Sequence, residues 1–221
     1  MQKVSKRLNQ LSESATLAMA RMSRELKSQG HDVIALSLGE PDFDTPEFIK
    51  NSAKKAIDNN FSHYTPVAGL KELRDAICKK LMRDNNLEYS SDQIVVSTGA
   101  KQSIANVCLS LLNPGDEVIL PAPYWVSYYE LVKLGDATPI IIKSNINNDF
   151  KINSKDLENV ISEKTKMIIF SSPCNPSGTV YSQKELEELA KVLEKYPNIF
   201  VVSDEIYEHI NFGVEHFTGK E

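Results

Sequence analysis

The chain has 221 residues, 41% of them hydrophobic and 25% charged, with a net charge of −5. That suits one large globular domain, or one domain with part of a second. Acids and bases are interspersed, so no basic stripe points to nucleic acid, and no apolar run approaches the roughly 20 residues that cross a bilayer. Basic residues near the N-terminus are not followed by an apolar segment, so no secretory leader is expected. Cys78, Cys108 and Cys174 are widely spaced with no C-x-x-C pair. They read as free thiols in a reducing, cytoplasmic compartment. His31, His63, His209 and His216 are scattered, and no metal site is expected from their spacing.

Residues 5–29 carry apolar positions at helical spacing, with Gly30 as the expected C-cap. An extended run over 33–38 leads into Gly39-Glu40-Pro41-Asp42-Phe43. Gly39 is either a turn glycine or a place where a backbone N–H approaches a ligand. Thr45-Pro46 then reads as an N-cap and first helical residue. Tyr64-Thr65-Pro66 is a loop with an aromatic that means little alone. A helix follows with Leu70, Leu73, Ile77 and Leu81 on one face.

Residues 93–98 read as a strand that breaks at Thr98-Gly99-Ala100-Lys101 into a helix. A strand, small residues and a helix N-terminus present free N–H groups to an anion. G-x-G-x-x-G is absent, so a single phosphate fits better than a pyrophosphate. An ordinary turn is the other reading. The strand over 117–120 ends in Pro121-Ala122-Pro123-Tyr124-Trp125, and this tryptophan is the only one in the chain. It is either a core aromatic or a flat ring for a flat ligand. A strand over 137–142 and a short helix over 156–161 follow.

The buried strand over 166–172 ends in the turn cluster Ser172-Pro173-Cys174-Asn175-Pro176-Ser177-Gly178. Ser182-Gln183-Lys184-Glu185 has capping-box spacing and opens another helix. The last strand, Ile199-Phe200-Val201-Val202-Ser203, delivers Asp204, with Tyr207 close behind. Asp204 either caps the next turn or faces a ligand beyond the carboxyl ends of the strands. Alternating strands and helices predict an α/β fold with a mostly parallel sheet sandwiched by helices. The strand ends together offer an anion-binding turn, a planar aromatic, an amide, and a carboxylate with a phenol. A planar, phosphorylated, nitrogen-containing ring would use all of them.

At this point the chain resembles the class I, fold-type I aminotransferases dependent on pyridoxal phosphate (PLP), and looks most like the bacterial aspartate aminotransferases. The residues that carry the likeness are Leu36-Ser37-Leu38-Gly39-Glu40-Pro41-Asp42-Phe43, Tyr64-Thr65-Pro66 with Gly69-Leu70, Pro123-Tyr124-Trp125-Val126-Ser127-Tyr128, Asn175-Pro176-Ser177-Gly178 and Ser203-Asp204-Glu205-Ile206-Tyr207. They stand in the family's order across nearly the whole chain.

The resemblance implies the following roles. Asp204 pairs with the pyridine nitrogen. Tyr207 and Asn175 bond the ring's phenolic oxygen, and Trp125 stacks on the ring. Gly99, Ala100 and Lys101, with Ser97 nearby, hold the phosphate. Tyr64 reaches the phosphate of a neighbouring subunit, which implies a homodimer. Gly39, Asn175 and Trp125 meet the amino-acid substrate, and Lys101 offers charge to a distal carboxylate.

The implied reaction moves an amino group from aspartate, or a similar amino acid, to 2-oxoglutarate. The resemblance also implies cis peptide bonds at Ala122-Pro123 and Asn175-Pro176. Residues 1–45 would be an N-terminal segment of the small domain, and 46–221 the PLP-binding large domain, truncated at its C-terminal end. The family's Schiff-base lysine and late arginine have no counterpart, because Lys220 stands too close to Asp204 and lacks the serine-rich lead-in. The 221 residues alone are therefore expected to be inactive. A lyase of the same fold, or a non-catalytic aminotransferase-like module, are the alternatives.

Overall fold

The computed structural model describes residues 4–36, 38–213 and 215–218. Ser37 of the first motif and Lys220 lie outside the described residues. The chain divides into two compact units. One comprises Glu13–Cys78 and Ser90–Val95; the other takes Met1–Ser12, Lys79–Tyr89 and Val96–Glu221.

The first unit is built on helices α1 (Ala15–Ser28), α2 (Glu47–Asp58) and most of α3 (Lys71–Lys80). Helix α1 is shorter than its apolar periodicity predicts, because the chain makes a separate 3-10 turn at Leu8–Gln10 and Ser14 adopts an extended N-cap conformation. Serines favour such caps over helix interiors. The expected C-terminal stop is present. Gly30 takes φ +88°, and the His31 N–H closes on the Leu26 carbonyl at 3.1 Å, the bond of a Schellman end. None of these three helices has a fully buried residue.

The second unit holds a four-stranded sheet of β1 (Glu117–Ala122), β2 (Thr138–Lys143), β3 (Thr165–Ser171) and β4 (Phe200–Asp204). The spatial order is β2-β1-β3-β4 and every pair is parallel. Parallel strands need crossovers, and helices supply them. These are α4 (Ala100–Leu111), α5 (Ser127–Leu134), α6 (Ser154–Glu158) and α7 (Gln183–Leu193).

The strands alternate between two cores. Val118, Leu120, Met167 and Ile169 pack with Ile104 and Cys108 of α4 and with Tyr128 and Val132 of α5. Ile119 and Ile168 point the other way, to Leu157 of α6 and to Leu189 and Val192 of α7. β1 and β3 are thus covered on both faces, which explains their continuous apolar runs, whereas β4 has no fully buried residue. Burial pushes the Cys108 thiol up to about 11, and all three cysteines are free.

Two local expectations have different outcomes. The segment over 93–98 is not a strand: Ser91–Gln93 is a 3-10 turn, and the residues after it join no ladder among the described residues. Its apolar, β-branched composition makes it extended, but a strand also needs a hydrogen-bonding neighbour. The capping box at α7 is present in both directions: Ser182 Oγ accepts from the Glu185 N–H, and Glu185 Oε2 accepts from the Ser182 N–H at 2.7 Å. Ser182→Ala is expected to lower stability by about 1 kcal/mol. Urea unfolding should show this as a lower midpoint with an unchanged slope.

Candidate active site

The site residues of the second unit lie where strands and helices meet. β1 ends at Ala122, and a cis Ala122-Pro123 bond turns the chain so that Tyr124 and Trp125 precede α5. β3 ends at Ser171, and the loop after it has cis bonds at Ser172-Pro173 and Asn175-Pro176. Two of these cis bonds are those expected; the one at Pro173 is additional. β4 ends at Asp204, in register with Ser171 of β3.

Asp204 takes the first of the two roles that its sequence position allows, the cap. Its Oδ1 accepts from the Ile206 N–H at 3.2 Å, which caps the turn. Its Oδ2 accepts from the Tyr128 hydroxyl at 2.6 Å. Tyr128 is fully buried. Burial first, then the bond to Asp204, raises its phenol above the ordinary range. No local pattern in the sequence assigns this residue a role, because its partner is 76 positions away. The signal the sequence does carry is a tyrosine set among apolar residues at helical spacing.

The other candidates are linked by direct contacts. The Trp125 ring meets the Tyr128 ring edge-on, with centroids 5.5 Å apart. The Lys101 ammonium sits over the Trp125 ring, 4.9 Å from its centroid, a favourable cation–π position. Asn175 Nδ2 donates to the Tyr207 hydroxyl at 3.1 Å, so an amide and a phenol stand side by side. Cys174 Sγ lies 3.4 Å from the Pro123 carbonyl, which ties the two proline loops together.

Gly99 is the N-cap of α4 with φ +88°, and no side chain caps the helix. The Gln102 N–H turns back to the Gly99 carbonyl at 3.1 Å, which leaves the Ala100 and Lys101 N–H groups of this turn to an anion. Ser97 precedes this turn, and its carbonyl accepts from the Gly99 N–H at 2.9 Å. Ala100, Ser103 and Asp204 line one cleft of about 300 Å³. The cleft's lining is largely apolar, with Ile104, Val107, Val202 and Ile206, and the first turn of α4 and Asp204 border this same space. Gly39 and Tyr64 belong to the first unit, where Gly39 is exposed and Tyr64 is fully so.

The donor set suits a planar phosphorylated pyridine. A carboxylate fixed by two donors can face a ring nitrogen. The paired amide and phenol can share one ring oxygen, a flat indole can cover a ring face, and an open helix N-terminus can take a phosphate.

A second polar cluster lies beyond β4. Glu205, Glu208 and His216 bring ligand-type atoms within 4.8 Å of one another, a proximity that the scattered histidine spacing did not suggest. These oxygens already have partners. Lys80 Nζ lies 2.5 Å from Glu208 Oε1, and the Thr218 hydroxyl donates to Glu205 Oε2 at 3.0 Å. We read the cluster as an ion-paired network. No helix among the described residues is long and apolar enough to cross a membrane.

Comparison with known proteins gives one family. The profile of "Aminotransferase class I and II" matches residues 31–220. The chain is 51% identical over 209 residues to a probable aspartate/prephenate aminotransferase of Rickettsia felis, covering 95% of this chain and 51% of that protein. It is 47% identical over 208 residues to the aspartate/prephenate aminotransferase of Nitrosomonas europaea, covering 94% and 52%. Among solved structures, the aspartate aminotransferase of Rhizobium meliloti superposes with a TM-score of 0.95 at 37% identity, over 99% of this chain and 55% of that one. The Thermus thermophilus enzyme, solved with maleate, gives 0.94 at 38% identity, over 99% and 57%. The chain spans about half the length of the curated relatives it matches.

Proposed function

The chain belongs to the class I and II aminotransferase family, whose cofactor is PLP and whose fold is the α/β fold seen here, and from that premise we propose that it forms part of an aspartate aminotransferase. The reaction would move an amino group from aspartate, or a similar amino acid, to 2-oxoglutarate. The observation that carries this reading is the Asp204 carboxylate, held by two donors at the end of β4, on a residue that borders the same cleft as the first turn of α4.

When bound, PLP supplies an electron sink for the amino-acid carbon. The protein's own residues then have these tasks. Asp204 keeps the ring nitrogen in its charged form, because an opposite charge at hydrogen-bond distance favours it. Asn175 and Tyr207 hold the ring's oxygen, and Trp125 covers one ring face. Ser97, Gly99, Ala100 and Lys101 receive the phosphate at the helix end. Gly39, Asn175 and Trp125 meet the substrate, and the Lys101 charge is available to a distal carboxylate.

Homodimer assembly, a cytoplasmic location and the assignment of residues 1–45 to a small domain belong to the same proposal. The fully exposed Tyr64, followed by the fully exposed Val67, supports a partner surface there. The relatives' names support a second acceptor, prephenate, for this chain.

The test uses the protein at its full length, loaded with PLP. Aspartate should be converted with 2-oxoglutarate, and a prephenate-dependent rate should be measurable. Elimination products from the amino acid, without transfer to an oxo acid, would identify a lyase instead. No reaction with any amino acid would leave a binding module.

A further inference from the structure

We propose that Tyr128 is a positioning residue, which holds Asp204 and Trp125 in their working places around the cofactor ring. This rests on the reading of Asp204 as the partner of the ring nitrogen. Tyr128 lies in the first turn of α5, fully buried among Val118, Leu120, Met167 and Ile169. A phenylalanine would fill the same volume with no polar atom to satisfy. The hydroxyl is retained in an apolar core, where it needs a partner, and that partner is the Asp204 carboxylate at 2.6 Å.

The phenol is a donor that does not switch off. Burial and the neighbouring carboxylate both disfavour its ionisation, so it carries its proton throughout the working pH range. A neutral donor on a carboxylate makes a charge-assisted bond. With the Ile206 N–H on the other oxygen, the carboxylate is held from two elements, α5 and the turn after β4. It cannot rotate freely about its last torsion. The same phenol ring supports the Trp125 ring edge-on. One buried side chain therefore braces the residue proposed for the ring's nitrogen and the residue proposed for its face.

The test is a double-mutant cycle in PLP affinity, with Tyr128→Phe, Asp204→Ala and the double variant in the full-length apoenzyme. Thermal melts of the apo forms check that each one folds. Tyr128→Phe should weaken PLP binding about tenfold, the scale of a lost bond to a charged group. At saturating PLP it should lower kcat with the KM for aspartate within about twofold. In the Asp204→Ala background the same change should alter PLP affinity by less than about twofold, because its effect passes through Asp204.

Three results would overturn the proposal. A full, additive effect of Tyr128→Phe in the Asp204→Ala background would show a general packing role. Wild-type PLP affinity and kcat in Tyr128→Phe, with both lost in Asp204→Ala, would refute the bracing role and leave the site reading standing. Wild-type behaviour of Asp204→Ala would remove the site reading itself.

Discussion

Asp204→Ala in the full-length enzyme is expected to lower the transamination rate by about a hundred- to a thousandfold, the scale of a lost preorganised charge in a catalytic site. The carboxylate stands at the carboxyl end of β4, bonded by the Tyr128 hydroxyl and the Ile206 N–H. Alanine removes the group that favours the charged ring nitrogen. It also strands the Tyr128 hydroxyl in an apolar core, a loss of about 1–3 kcal/mol in stability. The rate must therefore be compared per folded, PLP-loaded site. Asp204→Asn is the control, since its oxygen can still accept from Tyr128 while the charge is gone. Asparagine should recover the stability and leave the rate low. A rate within a fewfold of wild type in both variants would refute the assigned role.

Residues 1–221 produced alone are expected to show no measurable turnover of aspartate and 2-oxoglutarate. They span about half the length of their curated relatives. They contain the residues proposed for the ring and phosphate, and the resemblance leads us to expect the family's Schiff-base lysine and late arginine outside them. Their surface also carries exposed apolar groups. β4 pairs only with β3 among the described residues, and its Phe200 and Val201 are 43% and 50% exposed. An apolar strand with an unpaired edge invites association. In the first unit, Ile34, Leu36, Phe43 and Phe48 are exposed as well, and such surface drives self-association. Size-exclusion chromatography should therefore show oligomers or aggregates. Borohydride reduction with PLP, followed by peptide mapping, should find no lysine modified stoichiometrically. Turnover, or stoichiometric labelling of Lys220 in a folded monomer, would show that the catalytic lysine had been misplaced.

The parts of this protein that depend on near neighbours were legible in the chain alone. The apolar runs of β1 and β3 are continuous because both faces are buried, and burial on both faces is visible as composition. The Ser182–Glu185 box and the Gly30 stop are set by the chemistry of a few adjacent residues. The family likeness came from motifs of the same local kind. The tertiary structure shows that Asp204 caps its turn with one oxygen and meets Tyr128, 76 positions away, with the other. The placement of Lys101 over Trp125, the gathering of Glu205, Glu208 and His216, and the failure of residues 93–98 to join the sheet were decided at the same level. The physical reason is common to them. A side chain's partner across the fold depends on how strands register and helices dock, and a strand exists only where another strand completes its hydrogen bonds.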